Sequence, residues 1–524
     1  MRFDGSKRRK GFRYLAPNFS FLKHILLFGA GKSATVLIDY LLLNAADHNW
    51  KLLVADSDKQ LAEEKINDSD RAEAFGIDIT DTAKRQSLIS RADLVISMMP
   101  ATLHILIARD CLDMKKHLLT ASYADEKIKE LDEEAKRSGV LFLCEMGLDP
   151  GIDHMSAMQI IDQLKEKGAE ITSFKSHCGG LIAPESDTNP WRYKISWNPR
   201  NVVLAGKNGA IYREGGQTTE KKYEDLFSSP PEVQIDQQIF SYYPNRNSLT
   251  YIDLYGLSGV HTFIRTTLRY PDFMHGWKNI IELKLTDETP AYETNGKSLF
   301  SFFQEHFKKY GFSEWLQNKL AESFAETKKV LESLMKLMKE EEEAQQTGAG
   351  IKDEFMVVDE DGNLREIELD DVKTQAASTV ANKMHEANLT MKQLMFLGVD
   401  DDKTIINKGL CSAADVLQFA LEKKLALLPG DKDMIVMLHE IDYVFDNINQ
   451  RITSSLVVTG DDNIRTAMAK TVGLPLGIAA KLVLEGKIKL AGVHVPTIKD
   501  IYEPVLAELN KNGIVFNETH HNSQ

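Results

Sequence analysis

The residues best suited to chemistry begin at Gly29-Ala30-Gly31-Lys32-Ser33-Ala34, which follows the apolar run HILLF. Glycine at the first position allows a tight turn, glycine at the third lets backbone approach a pyrophosphate, and small Ala34 permits close helix–strand packing beside a positive helix N-terminus. About 25 residues further on, Asp56 closes WKLLVAD, where a carboxylate can accept both hydroxyl hydrogens of an adenosine ribose. A 2′-phosphate there would meet a like charge, so the pattern favours NAD over NADP, with Lys59 able to offset part of the repulsion. Met98, Met99 and Pro100 follow a fourth apolar run, and Ser122 and Tyr123 a fifth, on the edge where a nicotinamide would lie. A Ser-Tyr pair could equally cap a helix and pack a core. Arg246 in YPNRNS and Arg269 in TTLRY are candidate bidentate clamps for carboxylates, or else surface arginines.

These residues need a scaffold that brings strand ends together. HILLF, WKLLVAD, GIDIT, DLVISMM, HLLTASY and VLFLCEMG are apolar runs separated by helical stretches. That alternation predicts a parallel α/β sheet with all strand C-termini on one edge, where open sheets bind ligands. The expected organisation is a flexible leader over 1–20, a Rossmann domain over 21–147 and an α+β substrate domain over 148–295, to which the family resemblance described below adds dimerisation. A mainly helical insertion follows over 296–428, then return strands over 429–462, and a final segment, 463–524, packing on the Rossmann domain.

In the substrate domain YKISW, NVVLAG, IRTTLRY and IIELKLT read as strands, and DMIVMLHEI with SSLVVTG as the return pair. Within the insertion, Leu331, Leu334, Met335 and Met338 share one helix face. Glu340 to Glu343 reads as a solvated helix end, and DEDGN (359–363) as a hairpin turn lacking the ligand ladder of a calcium loop. TAMAKTVGLPLGIAAKLVLEGKI reads as a long helix.

With 524 residues, 43% hydrophobic and 27% charged, the chain can build several cores. A net charge of -14 argues against a broad nucleic-acid surface. Four cysteines without a CxxC pair fit a reducing, cytoplasmic setting. No uninterrupted apolar run approaches the roughly 18 residues of a membrane span. The basic first 20 residues lack the apolar core of a secretory signal, and read as a leader or an early start, with an organelle presequence as the alternative.

GLDPGIDH (147–154), SHCGGLIAPE (176–185), NPWRYKISW (189–197), YYPNRNS (242–248), TTLRY (266–270) and AMAKTVGLP (467–475) together resemble saccharopine dehydrogenase of the L-glutamate-forming type. The resemblance covers roughly 21–295 and 405–518. It implies a Rossmann domain closed by a C-terminal helix, a homodimer paired through the central domain, and interconversion of saccharopine with glutamate and 2-aminoadipate 6-semialdehyde, with no metal. Carried over by motif, substrate contacts would be Ser122, Tyr123, Asp149, Arg246, Thr267, Leu268 and Arg269. Cofactor contacts would be Gly29, Gly31, Lys32, Ser33, Asp56, Asp78, Met99 and Asn198. Tyr123, Asp149 and Cys178, with His154 and His177 beside them, are the candidates for proton transfer, unranked.

Two departures stand out: Pro100-Ala101 where members often carry Pro-Tyr, and Leu181-Ile182 where they often read Leu-Pro. The family holds both NAD and NADP users. Alternative readings are an imine reductase like carboxynorspermidine synthase, and an inactive dinucleotide sensor.

Overall fold

Burial of whole apolar runs, rather than of alternate residues, decides the first part of the chain. In the computed structural model, which describes residues 22–321 and 388–522 without a break and only short pieces between them, the chain forms two units. The first comprises residues up to Met146 together with Leu476–Val495, and the second Gly147–Pro475 with Pro496 onward.

In the first unit, β1 (Lys23–Phe28), β2 (Trp50–Asp56), β3 (Ala72–Gly76), β4 (Leu94–Ser97), β5 (His117–Thr120) and β6 (Leu141–Leu143) pair in parallel, and Gly492–His494 adds a seventh strand beside β6. The order Gly492–His494, β6, β5, β4, β1, β2, β3 reverses direction at β1. That reversal opens the crevice in which doubly wound sheets bind ligands. Ile25 through Phe28, Leu52 through Val54 and Leu94 through Ile96 are wholly buried, because helices cover both faces of the sheet.

The third strand is AEAFG, not the expected GIDIT. It lies at the sheet edge with mostly half-buried side chains, so its pattern carries little apolar signal. The GIDIT segment turns away instead, because the Asp78 carboxylate accepts from the Thr80 amide and hydroxyl at 2.9 and 2.7 Å. From Leu476 onward, helix Ala467–Leu484 packs on α1 (Thr35–Ala45), where a Cβ on Gly477 would come within 2.6 Å of the Tyr40 ring. This helix is long and apolar enough to cross a membrane, but 72% of it is buried within the protein, as in a core helix.

The second unit is built on a ten-stranded mixed sheet. Its central strand Glu170–Ile182 runs parallel to Thr262–Arg269 and antiparallel to Asp433–Phe445, which pairs with Ile448–Thr459 as the expected return strands. Beside the sheet, helices Pro271–Glu282, Leu299–Lys309 and Ala413–Lys424 enclose a core containing Trp191, Trp277, Phe303 and Leu417.

Four expectations fail here for local reasons. NVVLAG opens inside helix Pro199–Val203, because Asn198 caps it through the Arg200 amide and Pro199 suits a first turn. IIELKLT begins as the end of the Pro271-initiated helix, and YKISW makes only the Ile195 bridge to Ala426. The C-terminal segment belongs to the first unit only over Leu476–Val495. After it, helix Lys499–Lys511 packs on helix Ile152–Glu166, and strand Asn517–Asn522 extends the second sheet beside Ile448–Thr459. Strands Glu354–Val358 and Leu364–Glu368 pair antiparallel around the expected turn. That turn, the leader, the Leu331 to Met338 stripe and the acidic run after it lie outside the described residues, Leu331 and its partners included.

Candidate functional site

At the glycine turn the φ of +99° at Gly29, and the 3.1 Å that would separate a Cβ from the Met98 carbonyl, both require glycine. A Cβ at Gly31 would meet nothing within 4 Å, and no side chain caps the short helix Lys32–Ala34 that Gly31 opens. Backbone amides there are presented to a bound anion, so the residues fit the pyrophosphate of a dinucleotide. Lys32 is exposed and Ser33 half-buried on this turn. The Asp56 carboxylate accepts from the Ala30 amide at 2.7 Å and the Asp58 amide at 2.9 Å, which fixes it against the turn. Lys65 donates to the Gly31 carbonyl at 3.1 Å, and burial holds its ammonium below the usual lysine range. Asp78 is exposed, with its carboxyl lowered by the Thr80 hydrogen bonds, and Met99 is half-buried after β4.

At the ends of β4 and β5, Ser97 and Thr120 lie directly opposite each other. The His104 ring bridges them: Nδ1 lies 2.8 Å from Ser97 Oγ, and Nε2 lies 2.8 Å from Ser122 Oγ and 3.2 Å from Thr120 Oγ1. Burial pushes His104 down to about 4, so the ring is neutral near pH 7. Sequence reasoning passed over His104, because a histidine at the start of a helix carries no motif. Tyr123 is half-buried next to Ser122.

The other substrate-side candidates, Asp149, Arg246, Thr267, Leu268 and Arg269, lie in the second unit. On strand Thr262–Arg269, residues two apart share a face, so Arg265, Thr267 and Arg269 point one way and Thr266 and Leu268 the other. Cys178 sits opposite Thr267 in register, and Tyr243 flanks Thr267 on the other side. Arg269 is buried, with its guanidinium 5.3 Å from the Tyr193 ring centre and 5.5 Å from that of Phe273. Its Nη1 donates to the Leu268 carbonyl at 2.7 Å, its Nε has no hydrogen-bond partner, and no carboxylate among the described residues pairs with it.

Four residues on, toward the strand start, Arg265 donates to Asp149 at 2.5 Å and to Asp153 at 2.7 Å and lies over the Tyr251 ring. Of the two acids, Asp149 is the more accessible, 13% exposed against 2%. Burial works against the Asp153 charge, but His154 and Arg265 outweigh it and hold the carboxyl below its usual range. Arg265 was also missed, since IRTT offers no sign that two acids 112 and 116 residues earlier meet it.

The side-chain roles expected of Cys178 and Leu268 do not fit this geometry, and the other expected residues have varied surroundings. Burial first, then Asp149 and Asp153, raise the Cys178 thiol well above its usual range, so it stays protonated and cannot serve as a base near neutrality. Leu268 is fully buried, packing with Leu181 and Tyr270, so its side chain is core. Arg246 is exposed in the second unit with φ +54°, so only Arg269 of the two arginines is desolvated. Asn198 is an exposed helix cap in that same unit. His154 is buried with Nδ1 2.5 Å from the Tyr255 hydroxyl. His177, on the face away from Arg269, joins Thr266 at 2.8 Å and Glu440 at 3.0 Å.

Residues 25–143 match the saccharopine dehydrogenase NADP binding domain, and 147–514 the saccharopine dehydrogenase C-terminal domain. The chain belongs to the saccharopine dehydrogenase family. It is 30% identical to saccharopine dehydrogenase [NADP(+), L-glutamate-forming] of Saccharomyces cerevisiae, with 95% of this chain and 99% of that one covered. An apo histidine-tagged saccharopine dehydrogenase (L-Glu forming) from the same yeast superposes with a TM-score of 0.73 at 28% identity, covering 95% of this chain and 100% of that one. Against an alpha-aminoadipic semialdehyde synthase of Arabidopsis thaliana the identity is also 30%, over 96% of this chain. The chain spans about half the length of the synthases it matches, 45% in that case. Family membership makes the first unit a pyridine-nucleotide-binding domain, in agreement with the turn at Gly29.

Proposed function

We propose that the chain is an L-glutamate-forming saccharopine dehydrogenase, an oxidoreductase acting on a CH–NH donor in lysine metabolism. The observation that carries this reading is the buried, carboxylate-free guanidinium of Arg269. A desolvated cation without an acidic partner is costly, and Tyr193 and Phe273 compensate only part of that cost. A substrate carboxylate supplies the missing charge, and saccharopine has three. The conjugate that carboxynorspermidine synthase makes from aspartate semialdehyde carries a single carboxylate on a polyamine, so a tricarboxylate makes fuller use of a buried arginine.

A nicotinamide, when bound, would accept hydride from the carbon next to saccharopine's secondary amine, and addition of water to the resulting imine would release glutamate and the semialdehyde. Arg269, with Arg246 and Thr267, binds carboxylates. Asp149 and Asp153 both accept from Arg265, and a carboxylate in this cluster is a fitting partner for an ammonium. Asp149, the more accessible of the two acids, is our candidate for the substrate amine, and Ser122 and Tyr123 are candidate substrate contacts. Tyr123 and Asp149 remain the candidates for proton transfer.

For the cofactor we propose a preference for NAD. The support is Asp56, whose carboxylate is held beside the turn by the Ala30 and Asp58 amides, where a 2′-phosphate would be repelled. The NADP(+) in the names of the yeast relatives favours the opposite preference, with Lys59 as the compensating cation. Partners are small molecules, and a reducing cytoplasm suits the four buried thiols.

Steady-state oxidation of saccharopine by the full chain, with NAD and NADP in parallel, tests both proposals. Activity with a higher kcat/KM for NAD, narrowed or reversed in Asp56→Ala, is the expected outcome. Absence of turnover with either cofactor overturns the substrate. Equal use of both, unchanged in the variant, overturns the role of Asp56.

A further inference from the structure

His104 lies at the strand ends that the proposed reaction uses, yet it belongs to no motif assigned above. We infer that His104 is a positioning residue that fixes the Ser122 hydroxyl for substrate by bridging the paired ends of β4 and β5. The inference rests on the reading of Ser122 as a substrate contact.

The geometry leaves the ring little freedom. Ser97 and Thr120 are cross-strand partners and both buried, and each places its hydroxyl on the ring. Ser122 is tied twice to the same frame, by its amide donating to Thr120 Oγ1 at 3.2 Å and by its Oγ at 2.8 Å from Nε2. A free serine hydroxyl samples three staggered rotamers, and the Nε2 contact selects one.

A neutral ring serves either tautomer. With Nε2 protonated, Ser122 Oγ accepts from the ring and keeps its own hydrogen for a ligand. With Nδ1 protonated, the ring accepts from Ser122, whose remaining lone pair faces outward. Burial argues against His104 as a proton donor, since its charged form is disfavoured at neutral pH.

A double-mutant cycle on the full chain tests this. Saccharopine oxidation is measured for Ser122→Ala, His104→Leu and the double variant, with nicotinamide-cofactor affinity measured separately. Ser122→Ala and His104→Leu are each expected to lower kcat/KM by about tenfold to a hundredfold, the range for losing one hydrogen bond to a charged group. The double variant should fall little further, since both remove the same contact. Cofactor affinity should stay within about threefold of wild type. Effects that multiply in the double variant, or wild-type kinetics in His104→Leu, overturn the inference.

If His104→Leu does not fold, His104→Gln and His104→Asn decide. Glutamine carries an amide near the Nε2 position and should retain about tenfold more activity than asparagine, whose amide reaches only the Nδ1 side; equal or reversed activities overturn the inference. Wild-type kinetics in Ser122→Ala would instead remove Ser122 as a substrate contact, and the inference with it. That result is distinguishable from failure of the saccharopine reading itself, in which the unmodified chain does not oxidise saccharopine.

Discussion

Two arginines that look alike in sequence differ in what surrounds them. Arg269 is buried against Tyr193 and Phe273 with no acidic partner among the described residues, whereas Arg246 is exposed. Replacing Arg269 with Ala would leave a substrate carboxylate unpaired in a desolvated place, a loss of roughly 2–5 kcal/mol for a buried charge pair. We expect a fall of about 30-fold to several thousandfold in kcat/KM for saccharopine. Arg269→Lys should rescue poorly because an ammonium lacks the guanidinium fork, and Arg246→Ala should cost less. Steady-state kinetics on the three variants checks the order; equal losses at both positions would show that burial does not set their contribution. Cys178→Ala should lose less than about tenfold, since a protonated thiol offers no base; a larger loss without a change in folding would restore a chemical role for it.

Elements set these environments through their ends as much as through their faces. The Asp433 carboxylate, at the start of strand Asp433–Phe445, accepts from the Ala467 and Met468 amides at 2.5 and 3.0 Å and so caps helix Ala467–Leu484. Burial raises this carboxyl above its usual range, and the two helix amides offset only part of that rise. Asp433→Ala would strand two buried donors at a positive helix end, and should destabilise the protein by roughly 1–3 kcal/mol. Asp433→Asn, which keeps one acceptor, should cost less. Urea denaturation followed by circular dichroism checks both variants, and an unchanged midpoint in Asp433→Ala would refute the cap.

For the molecule as a whole, the expectation is a homodimer through the second unit. On that unit's sheet, Ile235, Phe240, Met434, Val436 and Val457, together with Asp236, Gln237 and Gln238, line a cavity of about 260 Å³. Val457 is 44% exposed and Ile239 53%. A surface that combines exposed apolar side chains with polar neighbours suits a self-complementary interface. Light scattering at micromolar concentration should give twice the chain mass, and Val457→Asp should shift the protein toward one-chain mass. A monomeric wild type would remove the proposal, and an undisturbed dimer in the variant would place the interface elsewhere.

The first unit was largely legible because its signals are local. Gly29, Gly31 and Asp56 act through backbone conformation and a strand end, and runs such as HILLF and WKLLVAD are buried on both faces, so spacing along the chain reports position in the fold. Edge strand AEAFG escaped because a half-buried strand has too little apolar contrast, and NVVLAG misled because the Asn198-Pro199 cap outweighs β-branched residues that follow it. Motifs likewise pointed to Asp149, Cys178 and Arg269, but their chemistry depends on neighbours far away in sequence. Only the tertiary structure pairs Asp149 with Arg265, keeps Cys178 protonated beside two acids, leaves Arg269 without one, and sets His104 between Ser97 and Ser122. Desolvation and charge pairing are properties of a folded neighbourhood, and no spacing rule along the chain encodes them.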